Sequence, residues 1–168
     1  GRAGDAKRTL LALRQRFEET GQNRYLDNLD ALLCRLDLRL DNLDAADTWY
    51  LKKAPKDPLH FDALKRYQYL TQAVVELVAG QTKNVFLTLA PMDGYCKACG
   101  RHLDKISTDL LRAMALYREQ DERWHEYLKT ALTEAENYRF VRPASVFGGA
   151  ILPLLEQTKW TGDAKWFK

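Results

Sequence analysis

Leu26, Leu29, Leu33, Leu36, Leu40 and Leu43 follow one another at steps of three and four residues, and five of the six are followed directly by aspartate. Such steps straddle the 3.6-residue turn, so the leucines share one side of an α-helix and the residues after them form a second stripe about 100° away. That stripe reads Asp27, Asp30, Cys34, Asp37, Asp41, Asp44. An apolar seam of this kind must be buried against other helices, which makes an all-α, multi-helix bundle the expected fold. The repeat lasts about two and a half heptads before Asp47 takes the next position, and a coiled coil needs about three to four. A seam inside the chain's own bundle is therefore the first expectation, and pairing of two copies through Leu26–Leu43 the second. Aspartate is a poor interior helix former. The stripe Asp27, Asp30, Asp37, Asp41, Asp44 is accordingly read as a docking edge for basic side chains, from the first and third helices or from a protein partner.

The rest of the chain supplies helices for that seam. Helical spacing predicts a first helix from Asp5 to Glu19, with Leu10, Leu11, Leu13 and Phe17 inward and Gly21 as its stop. The ladder helix runs from Asn23 towards Leu51, and Pro55 and Pro58 end it. A third helix begins at Asp57 as N-cap with Pro58 in its first turn, and stops at Gly80. Residues 85–90, which begin with Val85-Phe86-Leu87-Thr88-Leu89, suit a short strand or a further helical turn, and Pro91-Met92-Asp93-Gly94 reads as a break. Helical spacing resumes from Cys96 and continues to Tyr138, as one bent helix or as two hinged near Glu119-Gln120-Asp121. These segments predict five to seven helices. Residues 1–140 form the bundle, and residues 141–168 form a basic and aromatic tail, with Trp160, Trp166 and Phe167, packing on it.

At 168 residues, with 46% hydrophobic and 29% charged side chains, the chain can bury a core without staples and does not have a disordered composition. No apolar run approaches the roughly 18 residues of a membrane span, so no membrane partner is expected. Three cysteines, an odd number, suit a reducing compartment, which is read as the cytoplasm. A start at Gly1 without Met reads as a tag remnant, a processed protein or a fragment. Residues 48–83 and 137–168 each carry a net charge of +3, whereas residues 23–47 carry −3 and residues 112–136 carry −2. Either these segments face one another or the basic ones form a patch for an anionic partner.

Two clusters carry candidate chemistry. In Cys96-Lys97-Ala98-Cys99-Gly100-Arg101-His102, two thiols and an imidazole stand three residues apart. At the N-terminus of a helix such thiols form a redox pair, because the macrodipole stabilises a thiolate. Zinc is the competing use, with Cys96, Cys99 and His102 as ligands and Cys34 or His125 as the fourth. The order of short apolar run, loop, Cys-x-x-Cys and helix resembles the active-site segment of the thioredoxin family, and Pro143 stands where that resemblance implies the family's active-site proline. It departs from the family in the helical region before Pro143 and in Arg142, where a small or β-branched residue is the rule. Glu122-Arg123-Trp124-His125 has the Glu-x-x-His spacing of di-iron bundles but occurs once, and His60 reads as a partly exposed first-turn residue. The second cluster, Lys52, Lys53, Lys56, Lys65, Arg66, Tyr67 and Tyr69, sets basic beside aromatic groups, as in nucleic-acid binding. No phosphate loop, dinucleotide fingerprint or nucleophile elbow is present.

The reading that follows is a non-enzymatic interaction or regulatory module for a macromolecular partner, with no cofactor expected. A thiol-disulfide or zinc-stabilised protein acting through Cys96 and Cys99 is the alternative, and a nucleic-acid-binding regulator working through the helix of residues 57–80 is the third.

Overall fold

The structure is a computed structural model that describes residues 2–57 and 61–167. Those residues form ten α-helices and no strand. Seven are long: α1 (Arg2–Glu19), α2 (Leu26–Arg39), α3 (Leu43–Lys53), α4 (Arg66–Val78), α5 (Thr82–Cys99), α6 (His102–Arg118) and α7 (Trp124–Asn137). The tail adds three short turns, α8 (Arg142–Ser145), α9 (Leu152–Glu156) and α10 (Ala164–Phe167), which take the count above the expected five to seven.

Two apolar cores meet at α4. The larger gathers Leu70, Ala73 and Leu77 of α4 with Val85, Leu89 and Met92 of α5, Leu110 and Leu111 of α6, and Leu128 of α7; Trp160, Trp166 and Phe167 of the tail lie against it. The smaller joins Ala31 and Cys34 of α2, Ala46 and Trp49 of α3, and Val75 of α4. Eight of the thirteen residues of α4 are buried, on every side of the helix, as befits an element with neighbours all round.

Helix ends account for most departures from the sequence reading. The helices α1, α2, α4, α5, α6 and α7 all stop on a residue with left-handed backbone, followed by an N–H that donates to the carbonyl five residues back, as in Asn42 to Asp37 and Asp121 to Leu116. In three the left-handed residue is Gly21, Gly80 or Gly100; in the others it is Asp41, Gln120 or Arg139. The expected single ladder helix is thus two, broken at Asp41. Leu29, Leu33 and Leu36 are buried within the chain, whereas Leu40 and Leu43 are exposed, so the seam does not run on to Leu43. The stretch 96–138 follows the hinged alternative and divides at Gln120, but it also divides at Gly100, so that Cys96 and Cys99 end α5; α6 packs most extensively on α7. Residues 85–90 are helical, and Pro91 lies inside α5 instead of ending it. Helix α4 starts at Arg66 after a single turn capped by Asp62, whose side chain accepts from the Leu64 N–H at 2.9 Å. Asp57, expected as the N-cap, is not at the start of a described helix, while Pro58 and His60 lie outside the described residues.

Helix α1 sits at the margin. It has no buried residue, and Leu11 and Leu13, expected inward, are exposed. Ion pairs hold it antiparallel to α2: Lys7 meets Asp37, and Arg14 Nε meets Asp30 at 2.7 Å. Lys53 of α3 reaches the other oxygen of Asp30 at 2.5 Å. Elsewhere, Arg112 of α6 forms two parallel bonds to Asp93 of α5, at 2.9 and 2.8 Å. Buried Asp109 is bonded by Lys105 at 2.5 Å, and burial nevertheless raises its pKa.

Glu76 of α4 is 2% exposed. Its Oε1 accepts from Gln72 Nε2 at 3.0 Å, Thr88 Oγ1 at 2.9 Å and Tyr50 OH at 3.2 Å, tying α3, α4 and α5 together. Burial raises its pKa, and these hydrogen bonds oppose the rise.

Two outcomes are expected. Gln120→Gly removes left-handed strain at an exposed site and should stabilise the protein by about 0.5–1 kcal/mol; a urea midpoint no higher than wild type contradicts this. The folded state holds the Glu76 proton more tightly than the unfolded chain does. The stability this contributes is complete below the ordinary glutamate value of 4.5 and is lost as pH rises through the folded pKa. Urea midpoints of Glu76→Gln should therefore fall less than those of wild type from about pH 4.5 upward, the remaining fall including the share of Asp109. Parallel profiles would refute the assignment.

Candidate functional site

Helices α2, α4 and α6 and the turn around Phe147 enclose an open groove of about 400 Å³. Its walls are apolar: Leu38 from α2, Val74 and Leu77 from α4, Met114 and Tyr117 from α6, and Phe147 from the tail. Three arginines edge it. Arg35, one turn before Arg39 on α2, donates through Nε to Thr71 Oγ1 at 2.9 Å and lies 4.6 Å from the centre of the Tyr67 ring. Burial lowers its pKa from the ordinary guanidinium value. Arg39 Nη2 donates to the Val146 carbonyl at 3.0 Å. Arg118 donates to the carbonyls of Leu77 and, at 3.4 Å, Val78. Arg118 thereby caps α4, where a cation also suits the negative end of the helix dipole.

Among the described residues, none of these three arginines forms an ion pair with a carboxylate, although Lys7, Arg14, Lys53, Arg66 and Arg112 all do. Each guanidinium carries five N–H donors, and the bonds above use one or two. An apolar floor under underused cationic donors can take an anionic group attached to an apolar body. The sequence offered part of this signal, in two arginines four apart on an acidic helix. Arg118 gave none, since its position depends on α6 crossing the end of α4.

The residues singled out from sequence are distributed differently. Cys96 and Cys99 lie in the last turn of α5, the negative end of a helix dipole, and not at the N-terminus that a redox pair requires. Cys96 is buried, which pushes its thiol up to about 11; Cys99, the last residue of α5, is exposed. Cys34 is buried in the smaller core, with its thiol pushed up to about 12 by burial. All three are free. The apolar run before them is helical and Pro143 falls in the first turn of α8, so the chain does not form the strand-loop-helix order of the thioredoxin segment.

His102 heads α6, where Nδ1 meets Glu134 and Nε2 meets Tyr138 OH at 2.9 Å. His125 is exposed and stacks on Trp124 at 3.6 Å between ring centres. Among the described residues, no group of three or more His, Cys, Asp or Glu is placed to hold a metal ion.

Of the basic and aromatic cluster, Lys52 and Lys65 are exposed, while Lys53 is paired with Asp30, and Arg66 lies 3.6 Å from Asp104. Lys56 donates to the Tyr50 carbonyl at 3.2 Å. Tyr69 is buried in the larger core and Tyr67 lies under Arg35. On the acidic stripe, Asp30 and Asp37 are occupied by α1 and α3, whereas Asp27, Asp41 and Asp44 are exposed. No described helix is long and apolar enough to cross a membrane.

No family model matches the chain, and comparison with curated proteins and with solved structures finds no similar one.

The placement of the thiols has a measurable consequence. A disulfide reagent should label one thiol, Cys99, rapidly in the folded protein and reach Cys34 and Cys96 only on unfolding. Rapid loss of two thiols, or a Cys99→Ser variant that still reacts fast, would contradict it.

Proposed function

We propose that the protein is a non-enzymatic helical module that binds a macromolecular partner, a protein that lays an acidic amphipathic segment into the arginine-edged groove. The observation that carries this reading is the set Arg35, Arg39 and Arg118, which among the described residues have no carboxylate partner, beside an apolar floor. A helix whose apolar face enters the groove would bring leucine-like anchors onto Leu38, Val74 and Leu77, and its flanking carboxylates would meet the guanidinium groups. Arginine, tyrosine, phenylalanine and methionine are the residue types enriched where proteins meet, and the groove presents all four. The carboxylates would gain bidentate partners that the fold leaves available.

A fluorescent helical peptide with leucines at i, i+3, i+4 and i+7 and glutamates beside them should bind with an affinity that falls as salt rises. Its lysine counterpart should bind far more weakly. Arg39→Glu, a change at an exposed site, should weaken the acidic peptide by at least about tenfold. Equal binding of the two peptides, or an unchanged affinity in Arg39→Glu, would overturn the reading.

A further inference from the structure

A second cavity, of about 210 Å³, lies between α3, α4 and α5. Tyr50 of α3, Gln72 and Glu76 of α4, and Asn84, Thr88 and Pro91 of α5 line it. Nothing in the groove reading uses these residues. We propose that this chamber is a binding site for a primary alkylammonium group, with Glu76 as its counter-ion and Gln72 as a second acceptor.

Two polar atoms on the α4 side of the chamber are acceptors left unmatched. Among the described residues, no donor is bonded to the buried acceptors Glu76 Oε2 and Gln72 Oε1, while the remaining polar atoms of the two side chains are spent on each other and on Thr88 and Tyr50. Buried acceptors left in this state are destabilising, so a donor that reaches them is favoured. On the same wall, Pro91 has no N–H to offer the Leu87 carbonyl one turn before it. The ligand that answers such a wall is rich in N–H donors and positively charged.

An ammonium group meets both needs: it has three donors and no acceptor. The volume is well above the roughly 30 Å³ share of one water, so an alkyl stem also fits, and Tyr50, Tyr69, Leu87 and Pro91 supply apolar and aromatic surface for it. A bare divalent ion suits the chamber less well, because such ions are held by several carboxylates and Glu76 is the one buried carboxylate among the lining side chains.

The cation among the described lining residues, Lys56, does not fill the role. It is exposed, its Nζ lies 5.7 Å from the centre of the Tyr50 ring, and its donor is directed at the Tyr50 carbonyl. The titratable groups facing Glu76 are Tyr50 from α3, Lys56 and Asp57 from the segment after it, and Tyr69 from α4; α5 brings only neutral side chains. A bound ammonium restores the charge that burial disfavours on Glu76, and the displaced proton goes to the buffer.

The test follows side-chain and backbone amides of α4 and α5 by nuclear magnetic resonance while wild-type protein is titrated with butylammonium chloride, 1-butanol or potassium chloride. Butylammonium should shift the Gln72 side-chain amide saturably, and the other two should not. Glu76→Gln should weaken the titration by about tenfold or more. Equal shifts with 1-butanol, shifts with potassium chloride alone, or wild-type affinity in Glu76→Gln would overturn the proposal. If Glu76→Gln fails to fold, the amine-to-alcohol comparison on wild type decides alone. The chamber and the groove share no lining residue, so failure of either site leaves the other standing.

Discussion

The burial of α4 on all sides is the constraint that organises this molecule. A helix surrounded by neighbours has no solvent to receive its polar side chains, so Gln68, Thr71, Gln72 and Glu76 must be satisfied from inside or left facing a cavity. Thr71 is met by Arg35 of α2, and Glu76 by Tyr50 of α3 and Thr88 of α5. These bonds fix the neighbours of α4 in register, and they join the smaller core to the larger through polar contacts that apolar packing alone would leave free to slide. Both candidate sites follow from the same burial. Val74 and Val78 face the groove, while Gln72 and Glu76, two residues away and therefore about 200° round the helix, face the chamber.

How far the fold was legible in the sequence depended on what ended each helix. Where the left-handed residue is glycine, as at Gly21 and Gly80, the stop could be read from composition, because glycine alone adopts that backbone without steric cost. Where Asp41, Gln120 or Arg139 takes the same conformation, the local signal is absent and tertiary packing decides. The largest misreading, a ladder helix continued to Leu51, runs through Asp41, while the hinge considered near Glu119-Gln120-Asp121 falls on Gln120. Pro91 is the converse case: proline usually breaks a helix at a cost of about 3 kcal/mol, yet α5 continues through it. With Val85, Leu89 and Met92 all at 0% exposure along one side, the packing of α5 offsets that cost.

The acidic ladder now reads as the fastening of two peripheral helices. Asp30 and Asp37, seven residues apart, meet Arg14 and Lys7, also seven apart and in opposite order, which is the signature of an antiparallel pair. A marginal helix with no buried residue is held there by charge as much as by leucine. Cys34 interrupts the stripe where α2 turns toward Ala46 and Trp49 of α3, so the thiol is a small apolar filler in that seam.

Charge blocks counted along the chain misplace the surface charge for the same reason. The basic segment 48–83 suggested a patch at Lys52–Arg66, but Lys53 and Arg66 are neutralised by carboxylates from Asp30 and Asp104, which come from elsewhere in the sequence. The basic residues that folding leaves without carboxylates include Arg35 and Arg39, and these come from the segment that is net acidic. Asp30 and Asp37 lie on another face of α2 and are turned to α1 and α3, away from the two arginines. A site for an anionic partner thus arises within a net acidic segment of the chain, because a helix separates by face the charges that the sequence interleaves.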